Sequence, residues 1–222
     1  MATTVSQEYA EGDGYFQIRF LMIRAHETLL KGLDSVEQQV RDDHSCDLAN
    51  WLGYVDAWAA CVHHHHSIEE KVLFPLLERK GLGVHTELEQ HEKLHADLEA
   101  LSIRTTEWRA NPSSYSADEL ASLLAELAPN FRQHLEEEVA HLTRERLSPQ
   151  VSSDELKACI AQLEAEAKKG DPFVAPVFMM SHTPPAHKYW SNMGWLMYRV
   201  LIPALSYRHA GYWKYSPEPL NL

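Results

Sequence analysis

The stretch at residues 63–70 combines four histidines with two glutamates, and both residue types bind metal ions. Residues four apart on an α-helix lie about 40° apart on one face, so His65 and Glu69 can reach the same ion. His66 and Glu70 have the same spacing, which leaves two registers open. The first two histidines of the run are predicted to point elsewhere. For one isolated pair of this kind, a solvated charged surface is the simpler interpretation.

Three further features of the chain supply the same residue types at helical spacing. His91 and His95 form a second pair four residues apart, and His134 and Glu138 form a third. His26 lies among the apolar residues of the first predicted helix and is expected to face the interior. Taken singly, a core histidine bonded to a carbonyl would explain His26. Buried imidazoles and carboxylates cost free energy unless they are paired or metal-bound, so the whole set predicts a metal site.

Four amphipathic helices are predicted to position these side chains. Apolar residues recur every three to four positions over residues 15–40, 48–77, 85–109 and 116–144, with short polar loops between these segments. The pattern predicts an all-α protein, organised as an up-down-up-down four-helix bundle. A metal site in the core of such a bundle takes its ligands from facing helices.

Capping residues and prolines indicate where these helices begin and bend. Asp47 could cap the second helix, and Ser116 begins a Ser-x-x-Glu capping box that ends at Glu119. Pro75 is expected to bend or tighten the end of the second helix. Pro129 is expected to kink the fourth helix or to split it in two.

The chain changes character after the bundle. Residues 152–169 form a predicted fifth helix, and the last fifty residues hold three of the six tryptophans and six prolines. We predict a bundle domain at residues 12–148 and an extension at residues 149–222 that packs on the bundle. A sharper hypothesis is that the extension covers the mouth of the metal pocket. Binding of the extension to a partner or to a membrane surface is a third.

Composition excludes several classes of function. The chain has 222 residues, 45% of them hydrophobic, as expected for one substantial globular core. A formal net charge of -12 argues against non-specific binding to nucleic acid or to anionic lipid. Three cysteines without a C-x-x-C motif indicate a reducing compartment. Because there is no signal-peptide pattern and no apolar run of about 18 residues, we expect a soluble, cytoplasmic protein.

The order H … H-x-x-x-E … H-x-x-x-H … H-x-x-x-E resembles the hemerythrin-like family, specifically its HHE cation-binding branch. The resemblance covers roughly residues 12–148 and includes the neighbouring sequence EEKVLFP, whose distance favours the register of His65 with Glu69. The matching positions are His26, His65, Glu69, His91, His95, His134 and Glu138.

The resemblance implies two non-haem iron ions inside the bundle. In the family the bridging carboxylates act together with an oxo or hydroxo group, and the iron with fewer histidines keeps an open position for O2. Carried over residue by residue, this assigns His91, His95 and His134 to one iron, His26 and His65 to the other, and Glu69 and Glu138 to the bridge.

Two departures from the oxygen carriers of this family bear on function. The carriers end with H-x-x-x-x-D, whereas this chain has H-x-x-x-E, and its interval between Glu69 and His91 is longer. Both departures argue against simple reversible oxygen carriage and leave a diiron site intact. A ferritin-like site, suggested by E-x-x-H spacings that end at His95 and His141, would leave four other histidines unused, so we reject it. His141 is expected to lie outside the ligand set.

Three functions are compatible with such a site. The leading hypothesis is a diiron protein that binds O2 or a related small molecule, because histidine-rich ligation favours binding over strongly oxidising chemistry. The alternative is a diiron oxidase or oxygenase acting on a small organic substrate, with Tyr54, Trp58 and Cys61 as the pocket wall. Core packing is the simpler interpretation of the two aromatic residues. A third possibility is iron sensing or storage, in which metal binding controls stability.

Overall fold

The computed structural model describes residues 9–187, 190 and 193–218. These residues contain helices and turns and no β-strand, so the predicted all-α class is confirmed. Two π-turns, at Glu69–Leu73 and Met197–Leu201, precede α-helices, and short 3-10 turns lie at Pro112–Ser114, Pro185–His187 and Tyr207–His209. From residue 14 onwards the α-helices are α1 (Gly14–Gln39), α2 (Leu48–Ile68), α3 (Phe74–Arg79), α4 (His85–Ala110), α5 (Ala117–His141), α6 (Arg144–Leu147), α7 (Ser153–Ala167), α8 (Ala175–His182), α9 (Ile202–Ser206) and α10 (Ala210–Trp213).

Helices α1, α2, α4 and α5 form a bundle in which each helix packs against two of the others. The contacting pairs are α1 with α2, α2 with α4, α4 with α5, and α5 with α1. The apolar stripes of the four helices meet in one core, where Leu33, Trp58, Leu98 and Phe131 each come from a different helix. Burial of side chains of this size contributes roughly 1.5–3 kcal/mol each to the stability of the bundle.

A wider turn interrupts the second predicted helix, residues 48–77. After α2 ends, the Phe74 N–H bonds to the carbonyl of Glu69, five residues back instead of four. Pro75 explains this change, because in a regular α-helix its ring would clash with the carbonyl four residues earlier. Of the two expected effects of Pro75, tightening is therefore wrong. In contrast, α5 continues through Pro129 as one helix, so the predicted split does not occur.

The predicted caps form only in part. Ser116 Oγ accepts a hydrogen bond from the Glu119 N–H at 3.2 Å. The Glu119 side chain instead accepts a bond from Arg104, so half of the predicted capping box is present. Asp47 makes no capping bond to α2 and accepts a hydrogen bond from the Tyr215 hydroxyl at 2.7 Å. The reason is that the C-terminal segment lies against this end of the bundle.

The C-terminal extension is attached to the bundle by apolar and polar contacts. Helix α7 packs against α1 and α2, and Val177 and Phe178 belong to the main hydrophobic core. The carbonyl of Tyr215 accepts hydrogen bonds from Ser35 Oγ at 2.6 Å and from Gln39 Nε2 at 2.8 Å. The division of the chain into two domains after position 148 stays a prediction. Among the residues that the structure describes, no helix is both long and apolar enough to cross a membrane.

Gly32 on α1 lies where the side chains of Trp58 and Phe178 come closest to the backbone. A Cβ added at Gly32 would lie 2.5 Å from Trp58 Cδ1 and 2.7 Å from Phe178 Cζ, both on buried rings. Gly32→Ala gains about 1 kcal/mol in helix propensity, but overpacking a core costs about 1–3 kcal/mol or more. We therefore expect a net loss in the free energy of unfolding, measured by urea denaturation.

The matched control for this substitution is Gly83→Ala. A Cβ added at Gly83 meets no described atom within 4 Å, so the free energy of unfolding should change by less than about 0.5 kcal/mol. An unfolding midpoint for Gly32→Ala equal to that of the unaltered protein would contradict the close packing at this position.

Candidate metal centre

Seven side chains that can bind metal meet inside the bundle, near the end of α2 and the start of α4. Their ligand atoms form two groups, and within each group all atoms lie within 4.8 Å of one another. The carboxylate of Glu69 belongs to both groups, so the two groups share one side chain. The first group is His66, Glu69, His91 and His134, and the second is His26, His65, Glu69 and Glu138.

The position of Glu69 on its helix explains how it can serve both groups. On a helical wheel Glu69 lies about 40° from His65 and about 60° from His66, on the arc between them. Its carboxylate can therefore face one imidazole on each side. The π-turn imposed next to Pro75 begins at Glu69, and such turns are frequent at functional sites.

Hydrogen bonds outside the cluster fix the protons on three of its imidazoles. His91 Nδ1 lies 2.8 Å from Glu70 Oε1, and because a carboxylate only accepts, Nδ1 carries the hydrogen. In the same way His134 Nδ1 donates to Gln90 Oε1 at 3.0 Å, and His26 Nδ1 donates to the Leu135 carbonyl at 3.1 Å. The Nε2 lone pairs of these neutral imidazoles therefore point into the cluster, as metal-binding histidines require.

Two of these lone pairs face each other. His91 Nε2 and His134 Nε2 are 3.0 Å apart, and with both hydrogens on Nδ1 neither nitrogen can donate to the other. Two nitrogens bound at about 2.1 Å to one ion, at a right angle, would be about 3 Å apart. The separation therefore fits a shared cation and does not fit a hydrogen bond.

Most other polar atoms of the cluster are buried without a hydrogen-bond partner among the described residues. Within the described part of the chain, both oxygens of Glu69 and of Glu138 and both nitrogens of His66 have no hydrogen-bond partner. His65 Nε2 approaches Glu69 Oε1 at 3.0 Å, and His26 Nε2 approaches Glu138 Oε2 at 3.2 Å, without hydrogen-bond geometry. Burying unpaired polar and ionisable groups costs several kcal/mol in total, so this donor set fits bound cations.

Burial also sets the charge of the cluster in the metal-free protein. Burial lowers the pKa of His91 to about 2 and the pKa values of His65 and His134 to about 4. Burial, and after it the charge of Glu138, raises the pKa of Glu69 well above its ordinary value. At neutral pH the imidazoles are therefore neutral and can bind metal directly. The raised pKa of Glu69 favours the protonated carboxyl group, so a cation competes with a proton for this side chain.

Six of the seven ligands predicted from the sequence lie in this cluster, and His95 lies outside both groups. The side chain of His95 is 25% exposed, and its Nε2 is 3.9 Å from Glu70 Oε1. His95 lies one turn further along α4 than His91, and its ring stacks on the exposed ring of His63. The fully buried His66 joins His91 and His134 in the first group, in the place that the resemblance assigns to His95.

A signal for His66 is present in the sequence. Trp51, Val55, Trp58 and Val62 precede it by fifteen, eleven, eight and four residues, which is the spacing of one helical stripe, and all four are fully buried. His66 continues this stripe. The two registers considered for the histidine run are thus not exclusive, because His65 and His66 both enter the cluster and Glu70 stays outside it.

The remaining predicted positions have ordinary structural contacts. Tyr54 donates its hydroxyl hydrogen to His182 Nε2 at 2.7 Å, since His182 Nδ1 donates to the Phe178 carbonyl. Trp58 Nε1 donates to the Leu29 carbonyl, so both aromatic residues are satisfied core residues. Cys61 is partly buried, and His141 pairs with Glu87 outside the cluster.

Comparison with known proteins places this cluster in context. Residues 18–144, which contain all seven side chains, match the family model described as the Hemerythrin HHE cation binding domain. The "Dimeric xanthone biosynthesis cluster protein R11" of Cryptosporiopsis sp. (strain 8999) is 28% identical over 151 residues, which are 64% of this chain and 54% of that protein. The chain thus spans about half the length of this curated relative. No solved structure gives a significant match to the chain.

Cation binding to the cluster should release protons, because burial raises the pKa values of Glu69 and Glu138 and a bound cation favours their ionised forms. The affinity for a divalent cation should therefore rise with pH as these carboxyl groups ionise, at pH values above those at which an ordinary carboxyl group ionises. Calorimetry in two buffers of different ionisation enthalpy counts the protons released. Glu69→Gln should release fewer protons than the unaltered chain, and binding without any proton release would contradict the assigned protonation.

Proposed function

Because the chain belongs to the hemerythrin HHE cation-binding family, we propose that its buried cluster holds two iron ions bridged by Glu69. Each ion would take imidazoles from facing helices of the bundle. The proposed ligands are His66, His91 and His134 for one ion, and His26, His65 and Glu138 for the other.

The observation that carries this proposal is the position of Glu69. Its carboxylate offers an oxygen to each of the two groups of ligand atoms, and neither of its oxygens has a hydrogen-bond partner among the described residues. A buried carboxylate with two free oxygens between two sets of imidazoles has the arrangement of a bridging ligand. Imidazole and carboxylate together are ligands that suit non-haem iron, whereas soft thiolate sites select other metals.

We further propose that the centre binds O2 or a related small molecule. Five imidazoles and two carboxylates form the set, and histidine-rich ligation favours binding over strongly oxidising chemistry. When bound, the two irons would supply the electrons that a diatomic ligand shares. Two phenylalanine rings lie beside imidazoles of the cluster, with Phe131 6.2 Å from His66 and Phe74 5.1 Å from His91 between ring centroids. These rings limit the access of water to the imidazoles.

A second candidate is an O2-dependent diiron enzyme that acts on a small organic substrate. The observation that favours it is the name of the relative from Cryptosporiopsis, which describes a biosynthesis cluster protein. Against it, Tyr54 and Trp58 form satisfied core contacts and offer no free polar group to a substrate.

Rapid mixing of the reduced, iron-loaded protein with O2 separates the two candidates. The proposal expects an absorption band that persists and disappears when O2 is removed. A band that decays with consumption of added substrate would favour the enzyme. No spectral change in a protein that holds two irons would contradict both, and Glu69→Gln serves as the control with a disrupted centre.

The assignment of His66 in place of His95 is tested by metal content. His66→Ala should lower the iron bound per chain, because it removes a nitrogen from one of the two groups. His95→Ala should leave the iron content at equilibrium unchanged, since His95 is in neither group. Elemental analysis of the two purified variants measures this difference directly. The reverse result would restore His95 to the ligand set.

A further inference from the structure

Three ligand-type side chains remain outside the proposed centre and lie together at one edge of it. His63 is exposed, and its ring stacks on that of His95 with the centroids 4.6 Å apart. Glu70 Oε1 is 3.9 Å from His95 Nε2 and 2.8 Å from His91 Nδ1. The three residues form a surface group at the junction of α2 and α4 that directly contacts a ligand of the buried centre.

The exposure of this group decreases steadily towards the centre. His63 is exposed, the side chain of Glu70 is 34% exposed and that of His95 25%, whereas His66 is fully buried. The His95 and His66 rings are 5.7 Å apart between centroids. Imidazoles therefore follow one another from solvent to the cluster at separations of 4.6 and 5.7 Å.

In this group, His95 is the residue that most clearly lacks a hydrogen-bond partner. Although its ring is partly exposed, its Nε2 is buried and has no hydrogen bond to any described residue. The Glu70 carboxylate lies 3.9 Å from His95 Nε2, and the Glu70 side chain is 34% exposed to solvent. A cation placed between them would satisfy both groups, and His63 could turn its ring towards the same point.

Another edge of the centre is closed by α7. Helix α7 packs against the π-turn, and Lys71 Nζ binds Glu166 Oε2 at 2.8 Å across the junction. His64 Nε2 lies 3.4 Å from the Ala167 carbonyl at the end of α7. The side chain of His65 is accordingly 16% exposed, less than that of His95. The edge with His63 and His95 is the more open route to the cluster.

We propose that His63, His95 and Glu70 form a capture site that takes a divalent metal ion from solvent and passes it to the buried centre. The inference rests on the proposed dinuclear centre. A hydrated divalent ion loses water reluctantly, and an imidazole–carboxylate site at the surface replaces part of that water before the ion enters. The net charge of -12 raises the local concentration of cations around the chain. The ion is then transferred from His95 and Glu70 to His66 and His91.

The test measures the rate at which the metal-free protein takes up Co2+, followed by its visible absorption after rapid mixing. Because the capture site acts on the path and not on the final state, the double variant H63A/H95A should load about tenfold more slowly, equivalent to about 1.4 kcal/mol of barrier. Its cobalt content at equilibrium should equal that of the unaltered chain. H64A is the matched control, since His64 belongs to the same run but faces α7, and it should load at the unaltered rate.

Three results would overturn this inference, and they are distinguishable. If the unaltered chain binds no cobalt, the dinuclear centre itself is refuted and the capture site with it. If the unaltered chain binds two ions and the double variant loads at the same rate, only the capture site is refuted. If H95A alone lowers the equilibrium content, His95 is a ligand of the centre and not part of a route to it.

Discussion

The burial of five imidazoles and two carboxylates at one point in the bundle is the constraint on which the rest of the structure depends. Without a cation, two bare nitrogens face each other at 3.0 Å and four carboxylate oxygens have no described hydrogen-bond partner. These nitrogens and oxygens oppose folding, because they lose their hydration without gaining a partner. A bound cation reverses the sign of this contribution, so metal binding and the stability of the bundle are coupled. The apolar layers with Trp58 and Phe131 must supply the stability that the metal-free cluster does not.

Much of the fold and of the site follows from spacing alone. The four long helices were predictable because apolar residues three and four apart define one face, and a face that must be buried requires facing helices. The same rule placed His26, His91 and His134 inside the bundle. His66 continues the buried stripe of α2, so spacing signals its burial, but spacing does not show that His95 stays outside the cluster. Which of the two enters depends on how far α2 and α4 are rotated towards each other, a property of packing.

The π-turn illustrates a second limit of prediction from the sequence. Pro75 signals that the helix cannot continue regularly, but the sequence does not say whether the chain bends, tightens or widens. The structure shows a widened turn that begins at Glu69. The position of the extension could not be predicted from hydrophobic periodicity for a different reason. It is fixed by single contacts, such as the Tyr215 carbonyl with Ser35 and Gln39, which leave no repeating pattern in the sequence.

Glu70 shows how one residue can connect the interior of the centre with its surroundings. Its carboxylate keeps the hydrogen of His91 on Nδ1, so the opposite nitrogen is free for an ion. The same oxygen lies 3.9 Å from His95 Nε2, on a side chain that is 34% exposed. A neutral partner such as the Leu135 carbonyl, which performs the first task for His26, could not attract a cation to the edge. In the proposed centre, the carboxylate at this position would both orient a ligand and bring positive charge towards it, and a histidine-rich centre with few carboxylates of its own would gain most from such a neighbour.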